Sequence, residues 1–316
     1  MISVRQYNAG DKEAWDSFVD ASKNGTFLFR RDYMDYHADR ITDHSLMVFE
    51  DERLVALLPA SRGAQGMIAS HGGLTYGGLV TGNKMTAALA LEAFPIILDH
   101  CRADGFTAML YKPVPHFYHR IPAEEDLQAL FLCGAQICRS DLSGTVPLRN
   151  SLGFAKSKRA GVKAAAKAGI EVIESQSFSD FSSMLAQNLA SRHGASPTHS
   201  QAELELLAGR FPQEIRLFEA RLKGDICAGI LMFDCGPTVH AQYISSTQEG
   251  RDIGAIDAIV SHLITETFKD RDWFDFGIST VDQGRELNVG LSRQKEMYGA
   301  RTTVYQQYLV PLTPLT

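Results

Sequence analysis

The sequence contains no long apolar run, no zinc-type cysteine spacing and no excess of basic residues. No apolar stretch approaches the ~20 residues of a membrane-spanning helix, and residues 1–15 are too polar for a signal peptide. The five cysteines form neither a Cys-x-x-Cys pair nor a cysteine–histidine cluster with the spacing of a zinc site. We therefore expect buried, reduced thiols, no transmembrane segment, no metal and a cytoplasmic location.

The 316-residue chain has a net charge of −6, with 45% apolar and 22% charged residues. This composition is typical of a globular protein with one large or two medium domains. The negative charge argues against a protein that binds DNA through a generally basic surface, although it leaves room for a local basic patch.

Apolar periodicity in the second half predicts two helices, three antiparallel strands, another helix and two further strands. The first helix carries apolar residues at helical spacing from Phe181 to Leu189, and the second opens with a capping box of Ser200 and Glu203. The three strands, separated by short polar turns, are predicted at residues 215–222, 226–233 and 239–245.

The first half shows a similar order of elements. A predicted hairpin at residues 45–61 is followed by a Gly-rich extended segment at 67–80, a long helix that contains Pro95, and a strand at 106–113. The order of hairpin, third strand, helix and strand thus occurs in both halves. It predicts an α/β (α+β) fold made of two copies of one unit, residues 1–148 and residues 149–316.

Residues 250–256 lie between the third strand of the second half and the helix that follows. The N-terminus of a helix offers unpaired N–H groups and a partial positive charge, which suit a phosphate group. Gly254 would let the backbone approach such a ligand closely, and Arg251 would add a charge-assisted hydrogen bond. The alternative is an ordinary helix start without a ligand.

This strand–loop–helix order resembles the pyrophosphate site of the GNAT acyltransferases. Their loop reads Gln or Arg, two residues, Gly, one residue, then Gly or Ala; here Ile256 occupies the last small position. The resemblance implies acyl-CoA as co-substrate and direct transfer to an amine, with a backbone N–H of the splayed strand for the oxyanion. The implied acyl-CoA contacts are Gln242, Tyr243, Ile244, Arg251, Gly254 and Ala255.

A second resemblance covers most of the chain. The motifs DFG at residues 275–277 and KEMYG at residues 295–299 resemble the C-terminal signature of the FemAB-like proteins, in which Phe is usual at the position of Tyr298. Three further stretches resemble the same group: TFLFRRDYM, HGGLTYGGLV and the basic segment FAKSKRAGVKAAAKAGIEV at residues 154–172. The resemblance implies two tandem GNAT-like domains, each a mixed and mainly antiparallel sheet flanked by helices, with the acyl-CoA loop in the second.

Six basic residues and no acidic residue lie between Arg149 and Lys167. Such a patch can bind the phosphates of a nucleotide sugar, coenzyme A or tRNA. We expect Lys156 and Arg159 to contact the substrate. The alternative is a solvated linker helix that ends at Gly169.

The candidate acid–base residues are histidines near predicted loops or strand starts. His71 lies in the Gly-rich segment, His193 precedes a loop between two helices, and His240 lies at the start of a strand. We expect His71 or His193 to be the general base, supported by the carboxylate of Asp275, and Tyr243 to act on the leaving thiolate. Each histidine can instead be structural, and Asp275 can instead cap the end of its strand.

Further substrate contacts are expected from the Gly-rich segment, from the loop between the two helices and from the KEMYG motif. These residues are Tyr76, Gly77, His199 and Lys295.

The leading hypothesis is an N-acyltransferase that moves an acyl group, expected to be acetyl, from acyl-CoA to the amine of an amino sugar or similar acceptor. The acceptor can be nucleotide-linked and would serve a cell-surface polysaccharide, and the chain can form a homodimer. One alternative is an aminoacyl-tRNA-dependent transferase of the FemAB type. In the FemAB-like group, enzymes of this type commonly carry a long helical hairpin that is used with tRNA. The sequence predicts no such hairpin, so tRNA is the less favoured partner. The other alternative is a non-catalytic binding protein on the same fold.

Overall fold

The computed structural model describes residues 1–193 and 196–312, and the side chains of residues 192 and 193 lie outside that description. The chain divides into two compact units. Unit 1 consists of Met1–Asp141, Val281–Glu286 and Val304–Thr316, and unit 2 consists of Leu142–Thr280 and Leu287–Thr303. The predicted limits of 1–148 and 149–316 for two separate domains stay a prediction.

Unit 1 contains a four-stranded antiparallel sheet in the order β1-β2-β3-β6 and a second group of neighbouring strands in the order β4-β5-β7-β16. Its elements are β1 (Ile2–Gln6), α1 (Lys12–Ala21), α2 (Arg31–Met34), β2 (Leu46–Glu50), β3 (Arg53–Leu58), β4 (Ser61–Arg62), β5 (Met67–Ala69), β6 (Val80–Thr81), α3 (Ala87–Ala103), β7 (Ala108–Tyr111), α4 (Glu125–Leu132) and parts of β8 (Gln136–Pro147) and β16 (Arg301–Pro311).

The core of unit 1 lies between α3 and the strands. Phe94, Ile97 and Leu98 recur at helical spacing on α3 and pack with Val48 and Met109 from the strands. Pro95 lies inside α3, as the sequence predicted.

Unit 2 is built on neighbouring strands in the order β8-β13-β12-β11-β10-β9. Its further elements are α5 (Lys156–Ala168), β9 (Glu171–Ser175), α6 (Ser179–His193), α7 (Gln201–Arg210), β10 (Ile215–Leu222), β11 (Asp225–Asp234), β12 (Thr238–Ser246), α8 (Gln248–Ile253), α9 (Ala255–His262), β13 (Trp273–Ile278), β14 (Thr280–Val281), β15 (Glu286–Leu287) and α10 (Val289–Glu296), of which β14 and β15 extend into unit 1.

The core of unit 2 forms where α9 packs on the sheet, with Ile259 and Val260 against Val239 and Phe274. Phe181 of α6 packs directly on Gly229 of β11, where a side chain on the glycine would overlap its ring. Helices therefore cover the sheet, as expected for a mixed sheet that must bury its apolar face.

The predicted fold class is confirmed: both units are mixed α/β structures with mainly antiparallel strands and flanking helices. The meander β10-β11-β12 and the capping box of Ser200 and Glu203 are present as predicted. The order of hairpin, third strand, helix and strand recurs as β2-β3-β6-α3-β7 in unit 1 and as β10-β11-β12-α8/α9-β13 in unit 2. Within the part of the chain that the structure describes, none of the helices combines the length and apolar character that crossing a bilayer requires.

Candidate functional site

Strand β12 parts from its neighbour β13 in the middle of unit 2. A register shift between Leu231 and Met232 of β11 leaves Gln242 as the extra residue of a β-bulge in β12. The parallel pairing of β12 with β13 covers three residue pairs and ends with His240 opposite Asp275. The bulge bends β12, and the two strands diverge beyond this point.

The segment after β12 forms two consecutive helices rather than an open loop. The side chain of Thr247 caps α8, and Gly254, with φ of +80°, separates α8 from α9. A Cβ atom at Gly254 would lie 2.6 Å from the carbonyl oxygen of Gly161 in α5. Gly254 is therefore required both by its left-handed backbone and by close packing of α5.

A cavity of about 500 Å³ lies in unit 2 between α5, α6, α10, the diverging ends of β12 and β13, and the α8–α9 junction. Four residues that the sequence predicted as contacts line this cavity: Ile244, Arg251, Gly254 and Lys295. The apolar part of its wall is formed by Leu185, Leu189, Ile244, Ile256, Phe276 and Leu291. The charged side chains in the lining are three cations and one acid: Lys158, Arg251, Lys295 and Asp257. This excess of positive charge, in a chain with a net charge of −6, suits an anionic ligand.

Asp257 forms the centre of a buried network on the cavity wall. Its Oδ1 atom accepts hydrogen bonds from Lys158 Nζ, at 2.9 Å, and from the hydroxyl of Tyr298. The Lys158 ammonium also lies 4.4 Å from the centre of the Tyr298 ring, within cation–π range. Burial, followed by the charge of Asp257 and its hydrogen bond, raises the pKa of Tyr298.

Lys295 is the most buried of the three cavity cations. Its Nζ donates to the backbone carbonyl oxygens of Gly277 and Ile278, each at 2.7 Å. Burial lowers the pKa of Lys295 to about 8, against a smaller opposing effect of Asp275. The Lys295 side chain beside the cavity is therefore a cation at neutral pH that loses its proton near pH 8.

Arg251 lies at the exposed edge of the cavity, in the last turn of α8. One guanidinium nitrogen, Nη1, donates to the carbonyl oxygen of Ser246 at 2.6 Å, and Nε and Nη2 donate to the side chain of Gln248. These bonds fix the guanidinium at the mouth. Asn188 of α6 donates to Ser245 Oγ at 2.7 Å and to the same Ser246 carbonyl oxygen at 3.0 Å.

Asp275 holds His240 at the point where β12 and β13 separate. The Oδ2 atom of Asp275 lies 2.8 Å from His240 Nδ1, and its Oδ1 atom accepts from Ser143 Oγ at 2.6 Å and from the Gly277 N–H at 2.9 Å. The carboxylate therefore fixes the ring of a partly exposed histidine. Asp275 is thus hydrogen-bonded to His240, whereas the sequence analysis expected it to support His71 or His193.

The remaining predicted contacts of unit 2 lie outside the cavity lining. The hydroxyl of Tyr243 and Nδ1 of His199 are 2.7 Å apart, so these two predicted residues form one pair. Gln242 is the bulge residue, and Ala255 is fully buried in the core. Lys156 and Arg159 are exposed on α5, where Arg159 Nη1 donates to the Phe154 carbonyl.

His71 belongs to unit 1, where it is buried with a positive φ of 55°. Its ring centre lies 5.3 Å from that of His37, and Lys112 Nζ donates to its carbonyl oxygen at 2.7 Å. Burial first, then the nearby His37, Lys112 and Arg31, lowers the pKa of His71 to about 3. A ring with this pKa is neutral at pH 7 and accepts a proton weakly.

Tyr76 and Gly77 also belong to unit 1 and are buried. The Tyr76 hydroxyl donates to Thr26 Oγ1 at 3.3 Å, and a Cβ atom at Gly77 would lie 2.0 Å from the carbonyl oxygen of Ser70. Both residues have structural roles in the unit. The helix α6 ends at His193, but the side chain of that residue lies outside the described part of the chain.

Sequence reasoning assigned no site role to the three residues of the hydrogen-bonded network on the cavity wall: Lys158, Asp257 and Tyr298. Lys158 lay within the noted basic segment, and Tyr298 lay within the KEMYG motif. Asp257 could have been found from one feature of the sequence: it is an acidic residue next to the apolar face of a predicted helix. Among the described residues, no three His, Cys, Asp or Glu side chains are grouped so that they could hold a metal ion.

Comparison with known proteins finds one matching family model and several solved structures with the same fold. Residues 154–285 match the family model described as an acetyltransferase (GNAT) domain. A search of curated protein sequences finds no match.

Solved structures share the fold over nearly the whole chain. FemX is 14% identical, with 98% of this chain and 97% of that chain covered and a TM-score of 0.70. L-PGS from Bacillus licheniformis is 13% identical, with 97% and 92% covered and a TM-score of 0.60. A conserved protein of unknown function from Bacteroides thetaiotaomicron is 10% identical, with 99% and 100% covered and a TM-score of 0.60.

Proposed function

We propose that the protein is an acyltransferase of the FemAB-like GNAT type that uses acyl-CoA, because residues 154–285 match the GNAT acetyltransferase model and the chain shares its fold with FemX. The unit 2 cavity is the proposed donor site. The acceptor is the amine of an amino sugar or a similar small molecule, which can be nucleotide-linked, used in the cytoplasm to make a surface polysaccharide.

The observation that supports this proposal most strongly is the composition of the cavity wall. Arg251 supplies positive charge near the α8–α9 junction, where the pyrophosphate would lie, and Lys158, which is paired with Asp257, adds a further N–H donor group there. The diverging β12 and β13 offer backbone groups to the amides of the pantetheine arm, and Phe276 and Ile244 offer apolar contact to its methylenes. An elongated anion with an apolar arm therefore matches the lining.

The proposed reaction forms a C–N bond and breaks a C–S bond. The amine attacks the thioester carbonyl, and its proton passes to a base. The N–H of the bulge residue Gln242 is a candidate donor to the oxyanion, because Gln242 has no residue opposite it on β11. The thiolate then leaves and is reprotonated, for which Tyr243, hydrogen-bonded to His199, is the proposed acid.

Three histidines are the candidates for the base. His71 and His193 stay the candidates from the sequence. We add His240, because Asp275 orients its ring at the point where the strands separate. His240→Gln should lower kcat by about 100-fold or more if His240 is the base, with the KM for acyl-CoA little changed.

A second candidate function is aminoacyl transfer from tRNA. It is favoured by the exposed basic side of α5, on which Lys156, Lys163 and Lys167 recur at helical spacing. A polyanion bound there would show a steep dependence of affinity on salt. Contacts of Lys156, Arg159, Tyr76, Gly77, His199 and Lys295 with substrate stay proposals under either candidate.

A thermal-shift experiment on the full chain tests the donor. Coenzyme A and acyl-CoAs at ~100 times their Kd should stabilise the protein by roughly 2.7 kcal/mol. Arg251→Glu should abolish the shift, whereas Lys269→Glu, the same charge change at an exposed position outside the cavity, should preserve it. Gly254 is unsuitable for this test, since any side chain there would disturb the packing of α5.

A shift with bulk tRNA and none with coenzyme A or any acyl-CoA would replace the first candidate by the second. The absence of a shift with every ligand would contradict both and favour a non-catalytic binding protein.

A further inference from the structure

Five aliphatic side chains are exposed on β12, on α10, at the end of β13 and in β15, and two of them, Ile244 and Leu291, line the unit 2 cavity. We call them the apolar rim, and their exposed fractions are 39% for Ile244, 39% for Ile278, 40% for Leu287, 68% for Val289 and 37% for Leu291. Single exposed aliphatic residues are common on protein surfaces, but a group of them marks an interaction site more often than chance placement does.

Hydrogen bonds and the shared lining connect segments of the rim to the cavity. The N–H of Asn288 donates to the carbonyl of Ser279 at 2.9 Å, which joins the start of α10 to the end of β13. Lys295, in the cavity lining, donates to the Ile278 carbonyl. Leu291 and Ile244 belong to the rim and also line the cavity. The rim therefore continues the apolar wall of the cavity outward.

The two ends of this apolar surface differ in charge. Inside, the lining combines Leu185, Leu189 and Phe276 with Arg251, whose charge suits an anionic group. Outside, it faces solvent at Val289 and Leu287. The arrangement matches an amphiphile with an anionic head in the cavity and a hydrocarbon chain that covers the rim.

We propose that the acyl donor carries a medium or long hydrocarbon chain, rather than the acetyl group expected from the sequence, and that the apolar rim binds this chain. This inference rests on the proposed acyltransferase function. An acetyl group adds one methyl group beyond the thioester carbonyl and would leave the rim in water. A fatty acyl group would remove from water both its own chain and the rim side chains.

Isothermal titration of the full chain with coenzyme A, acetyl-CoA and decanoyl-CoA, the last below its micelle concentration, tests the inference. Decanoyl-CoA has eight more carbons than acetyl-CoA, and burial of half of them would tighten binding on the order of 100-fold. Coenzyme A and acetyl-CoA should bind with similar affinity to each other. Equal affinity for all three would overturn the inference and leave the proposed function standing, whereas no binding of any would contradict the proposed function itself.

Two variants test whether the hydrocarbon chain of the donor lies on the apolar rim. Val289→Asp places a charge in the rim and should weaken decanoyl-CoA binding by at least 10-fold, while coenzyme A affinity stays unchanged and so reports an intact fold. An acid in the first turn of α10 is compatible with that helix. Leu206→Asp is the matched control, because Leu206 is 44% exposed on α7 and does not line the cavity.

An equal loss of decanoyl-CoA affinity in both variants, or no loss in Val289→Asp, would overturn the assignment of the rim to the hydrocarbon chain of the donor. Tight binding of a lipid-linked amine together with chain-length-independent binding of acyl-CoAs would also overturn it, since the hydrocarbon would then belong to the acceptor.

Discussion

The ion pair of Lys158 and Asp257 on the cavity wall can be broken with one isosteric change, Asp257→Asn. The change keeps the volume beside Gly161 and an oxygen for the Tyr298 hydroxyl, but it removes the negative charge that neutralises Lys158. The side chains of Lys158 and Asp257 are 13% and 12% exposed, so water compensates this loss only in part.

Removal of one partner from a buried pair costs roughly 3–5 kcal/mol, and partial exposure favours the low end of that range. We therefore expect Asp257→Asn to lower the free energy of unfolding by roughly 3 kcal/mol. Lys158→Met should cost less, roughly 1 kcal/mol, because Asp257 keeps its bond from Tyr298 and the methionine stays on the Tyr298 ring. In the double variant the two costs should not add, since no unpaired charge remains.

Urea unfolding followed by circular dichroism and tryptophan fluorescence measures these energies. Arg216→Met serves as the control, because its pair with Glu174 lies at the edge strand β9 and is more exposed, so it should cost about 1 kcal/mol or less. Additive effects of Asp257→Asn and Lys158→Met, or a cost for Asp257→Asn no larger than that of the control, would refute the reasoning that this pair is a coupled, buried network.

Three further predictions concern pH. Burial raises the pKa of Asp126 to about 7, so wild-type stability should fall by roughly 4 kcal/mol relative to Asp126→Asn as pH rises from about 4 to 7; equal pH profiles would contradict this. The pKa of His71 is lowered to about 3, so wild type should lose stability as pH falls below the unfolded value of about 6.5, and His71→Gln should flatten that part of the urea-unfolding profile. Burial lowers the pKa of Lys295 to about 8, so calorimetric coenzyme A affinity should decline above pH 8 in wild type, whereas Lys295→Met should bind weakly with no such decline.

Local patterns predicted the parts of the fold that depend on local interactions. The turns between β10, β11 and β12 carry Gly and Asp residues, and the capping box of α7 needs only two side chains three residues apart. Two cavity cations, Arg251 and Lys295, were found through family motifs that keep a fixed spacing along the chain.

The rest of the site depends on contacts between distant segments. Lys158 reaches the cavity because Gly161 and Gly254 allow α5 to approach the α8–α9 junction, and no local pattern reports that approach. The pairing of Asp275 with His240 depends on the parallel register of β12 and β13, which is set by packing of the whole sheet. His71 was a candidate general base in its Gly-rich segment, but tertiary packing buries it in unit 1.

Hydrogen–deuterium exchange with and without acyl-CoA tests the central claim, that the donor binds in the unit 2 cavity, most directly. The account predicts added protection of amides in residues 242–256 and 276–295, which carry the bulge, the α8–α9 junction and Lys295, with no change in residues 67–80 of unit 1. Protection confined to residues 67–80, or none at a saturating concentration of acyl-CoA, would contradict it.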